Sequence, residues 1–210
     1  AASDVYKRQM LEKMHVQILL NTTADAELIK LYEPDTVIIA TGSRPFIPPI
    51  QGADQDFVVA AHDVLLGKTE PGNRVVVIGG GLVGAETADM LGQQCEQVTI
   101  IEMLPQIMKD GEAAPTKYMK ERFFQNGVQI HTSTKLLEIG DHTVTAEKDG
   151  ERFVLENIDT VIIAVGVKTD RTLLDSMEHV SCKVLKVGDA NGVKNGYLGI
   201  REGYEAGLNA

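Results

Sequence analysis

Tryptophan is absent and cysteine is scarce. The two thiols, Cys95 and Cys182, are too few for a disulfide framework and form no C-x-x-C, which excludes a redox dithiol within this chain. Basic charge is also short: 20 Lys and Arg stand against 30 Asp and Glu, a net charge of −10, whereas a nucleic-acid binder shows a basic face. No apolar run approaches the ~18 residues of a membrane span. No apolar stretch follows the first basic residues, so no signal peptide is read, and a cytoplasmic setting is expected. The histidines (15, 62, 131, 142 and 179) lack metal-ligand spacing, and no metal site is expected. Ser43, Ser133, Ser176 and Ser181 lack a nucleophile-elbow context. What remains is a globular mix, 43% apolar over 210 residues, ample for a core.

Residues 1–9 (AASDVYKRQ) carry no core pattern and read as a non-native tail, with a frayed helix start as the alternative. The chain as a whole reads as part of a longer protein. A short strand is expected at 16–20 and a short helix or turn within 22–32. TVIIA at 36–40 is a continuous β-branched run, expected to be a strand buried on both faces of a parallel sheet. Pro45, Pro48 and Pro49 then force extended chain. A helical turn is expected at 61–66, and the Pro71-Gly72-Asn73 turn marks a boundary.

The same grammar restarts after that turn: strand 74–78, helix 82–92, strand 97–102, amphipathic helix 114–126 and strand 128–131. Met119, Phe123 and Phe124 are expected on one side of the second helix, with Gly127 as its terminal cap. Alternation then takes over at 136–139, 142–147 and 152–155, with Asp149-Gly150 suited to a tight hairpin. This predicts an antiparallel meander over one face of the sheet. TVIIAV at 160–165 is a further buried strand, followed by a strand at 184–187 and a helix from about 198.

The sharpest signal is Gly79-Gly80-Gly81-Leu82-Val83-Gly84, a G-x-G-x-x-G between a strand and a helix. Gly79 permits the tight turn, Gly81 admits a pyrophosphate close to the backbone, and Gly84 lets the helix pack near the strand. The helix N-terminus offers free N–H groups and a positive dipole end to the diphosphate. Glu102 closes the next strand, 23 positions after Gly79, where an acidic residue bonds the adenosine ribose. Its charge repels a 2′-phosphate and no Arg follows, so NAD is expected over NADP. Glu86 either stabilises the helix dipole or reaches the ligand. Gly188-Asp189, after the strand at 184–187, either holds a ligand hydroxyl or caps the turn that follows.

Six segments together resemble one family: ATGSRP (40–45), DVLLGK (63–68), VVVIGGGLVGAETA (75–88), VTIIEM (98–103), IIAVG (162–166) and VGDANGVKNGYLGIREGYEAGLNA (187–210). They are similar to the C-terminal FAD/NAD(P)-binding module of the NADH:flavin oxidoreductases related to old yellow enzyme, chiefly the 2-enoate and 2,4-dienoyl-CoA reductases. The ATG/AVG pair and the GD segment belong to the wider pyridine nucleotide-disulfide oxidoreductase-like group. The resemblance implies an α/β fold: a Rossmann-like NAD-binding domain at 67–167 with its meander, inserted in a partial, N-terminally truncated FAD-binding domain at 10–66 and 168–210. It implies that Gly79, Gly80, Gly81, Leu82, Val83, Gly84, Glu86 and Glu102 bind NAD(H). It places Ala40, Thr41, Gly42, Gly188 and Asp189 at FAD, with Asp189 on the ribityl chain, and Gly166 on the nicotinamide side. No catalytic residue is expected in this chain.

In that family an N-terminal TIM barrel carries FMN and an iron–sulfur cluster, and electrons run from NAD(P)H through FAD, cluster and FMN to an activated C=C bond. The family's first glycine motif, for the FAD diphosphate, would lie upstream of residue 10. The resemblance thus implies an NADH-oxidising electron-input module whose partners are a nicotinamide dinucleotide, a flavin and the barrel. The alternatives are a fragment of an NADH-dependent disulfide or flavin reductase, and a nucleotide-binding module without catalysis.

Overall fold

A computed structural model describes residues 2–109, 111–177 and 180–210. In chain order its elements begin with helices α1 (Ala2–Lys13) and α2 (Ala26–Tyr32), then strands β1 (Thr36–Ile39), β2 (Ser43–Pro45) and β3 (Val58–Ala60). Helix α3 (Ala61–Leu65), strand β4 (Arg74–Ile78), helix α4 (Leu82–Leu91), strand β5 (Gln97–Ile101) and helix α5 (Ala113–Gln125) follow. Next come strands β6 (Gln129–His131), β7 (Thr134–Gly140), β8 (Thr143–Lys148), β9 (Glu151–Glu156), β10 (Thr160–Ile163) and β11 (Val167–Thr169). The chain closes with α6 (Thr172–Ser176), β12 (Lys183–Lys186) and α7 (Gly196–Leu208). No described helix is long and apolar enough to cross a membrane.

Residues Gly42–Thr169 form one unit, built on a five-stranded parallel sheet in the order β3-β10-β4-β5-β6. Successive side chains of a strand point to opposite faces, and both faces here are dry. Val75, Val77, Val98, Ile100 and Ile162 pack with Ala61, Val64, Ala85, Ala88, Leu91 and Phe123 from the helices. Val76, Ile78, Ile101, Val161 and Ile163 pack instead with Leu136, Ile139, Val144 and Ala146 of the meander. The unalternated run at 74–78 therefore reflects cover on both sides, as expected of a parallel sheet. Each such aliphatic contributes about 1.5–3 kcal/mol when fully buried. The β7-β8-β9 meander is antiparallel, and Asp149 (φ 54°) and Gly150 (φ 83°) make its tight turn with two left-handed residues. Gly127 (φ 67°) ends α5 as expected, but Phe124 does not join Met119 and Phe123: Phe123 is in the core and Phe124 is 89% exposed. A 13-residue helix on a sheet buries one stripe, and two adjacent positions lie about 100° apart.

The second unit, Ala1–Thr41 with Asp170–Ala210, has a two-stranded parallel sheet, β1 with β12. A small core of Ile39, Met177 and Ala190 gathers Ile29, Val37, Leu173 and Val184 around it. Two expectations are corrected here. Residues 16–20 form no strand; Val16, Ile18 and Leu20 are exposed, and no described strand lies beside them to complete a ladder. TVIIA is not buried on both faces, since in β1 only Ile39 is buried and Ile38 is exposed. Residues 2–9 lie in α1, with the described side chains from Val5 exposed. The units part at 41/42 and 169/170. Residues 42–66 pair with the larger unit: β2 with β11, β3 with β10, and Ala61 and Val64 in the helix-side core.

Candidate functional site

In the five-stranded sheet, the chain runs from β4 outward through β5 to β6, then crosses to β10 on the other side of β4. Ligands bind at such a reversal, outside the carboxyl ends of the strands. The glycine turn sits there. Gly79 has φ 102°, closed to L side chains, and a Cβ on it would meet the Ala164 carbonyl oxygen at 2.6 Å. A Cβ on Gly84 would lie 1.9 Å from the Gly79 carbonyl oxygen, so only glycine lets α4 come this close to its strand. Gly81 is the N-cap of α4 and makes no side-chain cap; the space at its Cβ position is open. The first-turn N–H groups of α4 therefore have no N-cap side chain to satisfy them, the arrangement that receives an anion. Gly79 thus makes the tight turn and Gly84 the close helix packing expected of them. Leu82 and Val83 lie exposed on the first turn of α4, and Glu86 is exposed one turn on.

Glu102 is placed differently from a rim carboxylate. It is buried; Oε2 accepts the Gly80 N–H at 2.6 Å and Oε1 accepts the Leu104 N–H at 2.6 Å. Its own backbone bonds His131 and Thr134. The carboxylate therefore ties the glycine turn to the loop after β5, and each oxygen keeps a lone pair for another donor. Burial beneath an N–H-rich turn is where a negative charge is tolerated. The loop at 103–111 returns over the turn: the Met108 N–H donates to the Gly80 carbonyl at 2.7 Å, and Ile107 and Met108 are buried. Sequence reasoning did not single out Ile107, Met108 or Leu104; nothing in MLPQIM announces that the loop folds back.

Gly166 is exposed, with φ 107° and open space at its Cβ position. Its carbonyl accepts the Phe46 N–H at 3.0 Å. Gly166 and the glycine turn follow β10 and β4, which are neighbours, so the structure brings these two predicted segments together. Gly42, also left-handed at φ 76°, precedes β2.

In the smaller unit the residues after β1 and after β12 lie side by side, because the strands are parallel and the Val187 N–H donates to the Ile39 carbonyl. Ala40 and Thr41 therefore leave the sheet at the same end as Gly188 and Asp189. The Thr41 hydroxyl donates to the Asp170 carbonyl at 3.2 Å. Asp189 is the second residue of a short 3₁₀ turn and its side chain accepts the Lys194 N–H at 3.0 Å. Glu202 of α7, also unremarked in the sequence, accepts the Gly188 N–H at 2.8 Å and pairs with the Lys194 ammonium. The hydrogen bond from Lys194 holds the Glu202 carboxyl below the usual carboxylate range, against a smaller desolvation cost.

Cys95 and Cys182 are both free and half-buried, one in each unit. The Cys95 thiol donates to the Gly72 carbonyl, and burial, then the nearby Asp159, pushes its pKa up, away from thiolate chemistry. Among the described residues no group of three or more His, Cys, Asp or Glu could hold a metal ion; His179 lies outside them.

The chain is similar to known proteins. The pyridine nucleotide-disulphide oxidoreductase profile matches residues 6–193. The bilirubin reductase of Mediterraneibacter gnavus is 38% identical over 92% of this chain and 31% of its own length. The cinnamate reductase of Clostridium sporogenes is 34% identical over 95% of this chain and 30% of its own. The solved structure of a 2-naphthoyl-CoA reductase superposes with a TM-score of 0.88 at 30% identity, covering 98% of this chain and 31% of that one. The chain thus spans about three-tenths of the length of these relatives.

Proposed function

This chain belongs to the pyridine nucleotide-disulphide oxidoreductase family, and from that premise we propose that it is the NADH-oxidising, electron-input module of an enoate-reductase-like flavoenzyme. The observation that carries the reading is the uncapped start of α4 behind an open Gly81, with Glu102 anchored directly beneath it. When bound, the dinucleotide supplies a hydride and FAD the two-electron acceptor.

In this reading the first-turn N–H groups of α4 hold the diphosphate. A remaining lone pair of Glu102 accepts a ribose hydroxyl, and its charge opposes a 2′-phosphate, which favours NADH. Leu82 and Val83 give the site an apolar wall. The backbone at 164–166 offers room for the nicotinamide end beside Gly79, and Glu86 stabilises the start of α4. Ala40, Thr41, Gly42, Gly188 and Asp189 serve the flavin, with Asp189 accepting from its polyol chain. FAD fits in part: the two loops are paired, but the sequence holds one glycine-rich strand-to-helix turn, and that one serves NADH. The relatives named for cinnamate and 2-naphthoyl-CoA favour an unsaturated organic substrate for the full-length protein. FMN, the iron–sulfur cluster and the barrel belong to that protein outside these 210 residues, in a cytoplasmic setting.

Calorimetric titration of the purified chain tests the reading. NADH binding with a clear preference over NADPH is expected. Failure to bind either would sink it.

A further inference from the structure

Gly80 occupies the middle position of G-x-G, where the pattern itself accepts any residue. Its φ is not in the left-handed range that demands glycine. Yet a Cβ there would fall 2.4 Å from Ile107 Cγ2 and 3.1 Å from Glu102 Cβ. The demand for glycine at 80 therefore comes from this chain's own loop after β5, which presses on the turn. That loop is fastened along its length. The Leu104 N–H binds Glu102 Oε1, the Ser133 N–H binds the Leu104 carbonyl, the Met108 N–H binds the Gly80 carbonyl, and the Gly111 N–H binds the Met108 carbonyl. Met108 adopts φ 52° and is buried. A non-glycine residue holds that conformation only where its surroundings over-determine it. A Cβ on Gly111 would touch Leu82 Cδ2 at 3.1 Å, so the far end of the loop also rests on the first turn of α4.

Gly80 is thus gripped on three sides, by Glu102 at its N–H, Met108 at its carbonyl and Ile107 against its Cα. We propose that Ile107 is a positioning residue for dinucleotide binding: its Cγ2 methyl braces Gly80 so that the N–H groups of Gly81 and the first turn of α4 are aimed before the ligand arrives. The inference rests on the preceding reading that this turn receives the diphosphate. A donor array set in advance binds an anion more tightly because less ordering is needed on binding. Ile107 is buried, so the brace acts through the turn and not by touching the ligand.

The experiment compares the wild-type chain with Ile107→Val, Ile107→Leu and Ile107→Ala. Val keeps the β-branch methyl that touches Gly80. Leu keeps the volume, so the core survives, but has no methyl on Cβ. Affinities for NADH, ADP and adenosine are measured by titration, with amide hydrogen exchange at 80–83 in parallel. Ile107→Val should bind like wild type. Ile107→Leu and Ile107→Ala should bind NADH and ADP about tenfold more weakly with faster exchange at 80–83, and adenosine should be unaffected. Wild-type affinity for ADP in both Leu and Ala variants overturns the brace. So does an equal loss for adenosine, which would mean general loosening. If Ile107→Ala fails to fold, the Val and Leu pair decides alone. Wild-type chain that binds neither NADH nor ADP overturns the reading of the site itself, whereas binding that ignores Ile107 overturns only the brace.

Discussion

A carboxylate whose two oxygens each take a backbone N–H, as Glu102 does, serves the protein before it serves any ligand. Gln at this position has one acceptor oxygen, so either Gly80 or Leu104 would face an amide NH₂. Leaving one buried N–H unpaired costs about 1–3 kcal/mol. Glu102→Gln should therefore lower the unfolding free energy from denaturant titration by that amount and also erase the NADH preference, read by titration with NADH and NADPH. Retained stability would show that the two hydrogen bonds are not both made in solution. Gly166 needs a similar separation of effects. At φ 107° any side chain is strained, by about 1 kcal/mol or more, although the space is open. Gly166→Ala and Gly166→Leu should share the same loss of stability. Only the Leu variant should slow flavin reduction by NADH, measured by stopped flow in the full-length protein. Equal rates in the two variants would leave Gly166 with a purely conformational role.

Among the elements, α5 shows how far a sequence pattern reaches. The chain announces its helix and its Gly127 terminus, but Phe123 and Phe124 look alike in one dimension. The tertiary structure buries the first and exposes the second. Phe123→Ala should cost about 3–5 kcal/mol, the usual range for a buried aromatic, while Phe124→Ser should fall within about 0.5 kcal/mol of wild type. Urea denaturation of both variants checks the assignment; a costly Phe124→Ser would mean the ring is covered in solution. The strand expected at 16–20 fails for a related reason. An apolar run becomes a strand only when a partner supplies the ladder, and no described strand lies beside it. The meander, in contrast, was fully legible, because its alternation and its Asp149-Gly150 turn are local signals.

At the scale of the molecule the two units differ in how much they bury. The larger has a five-stranded sheet covered on both faces; the smaller rests on the β1–β12 pair and a small core around Ile39, Met177 and Ala190. A two-stranded sheet is marginal in water, and sparse burial lowers the cost of local opening. Amides of β1 and β12 should exchange with solvent well before those of β4, β5 and β10, and the purified chain should be colourless for want of most FAD contacts. Slow exchange throughout β1 and β12, or yellow protein with stoichiometric FAD, would contradict this. The sequence by itself determined the parallel sheet, the meander and the glycine turn. Each depends on residue type at short spacing: β-branched runs, period-two alternation, and glycines where backbone must approach backbone. That Glu102 lies beneath Gly80, that Ile107 crowds out a side chain there, and that residues 42–66 join the larger unit emerges only from the folded chain. Those facts arise from contacts between segments far apart in sequence, and no local pattern encodes which surfaces will meet.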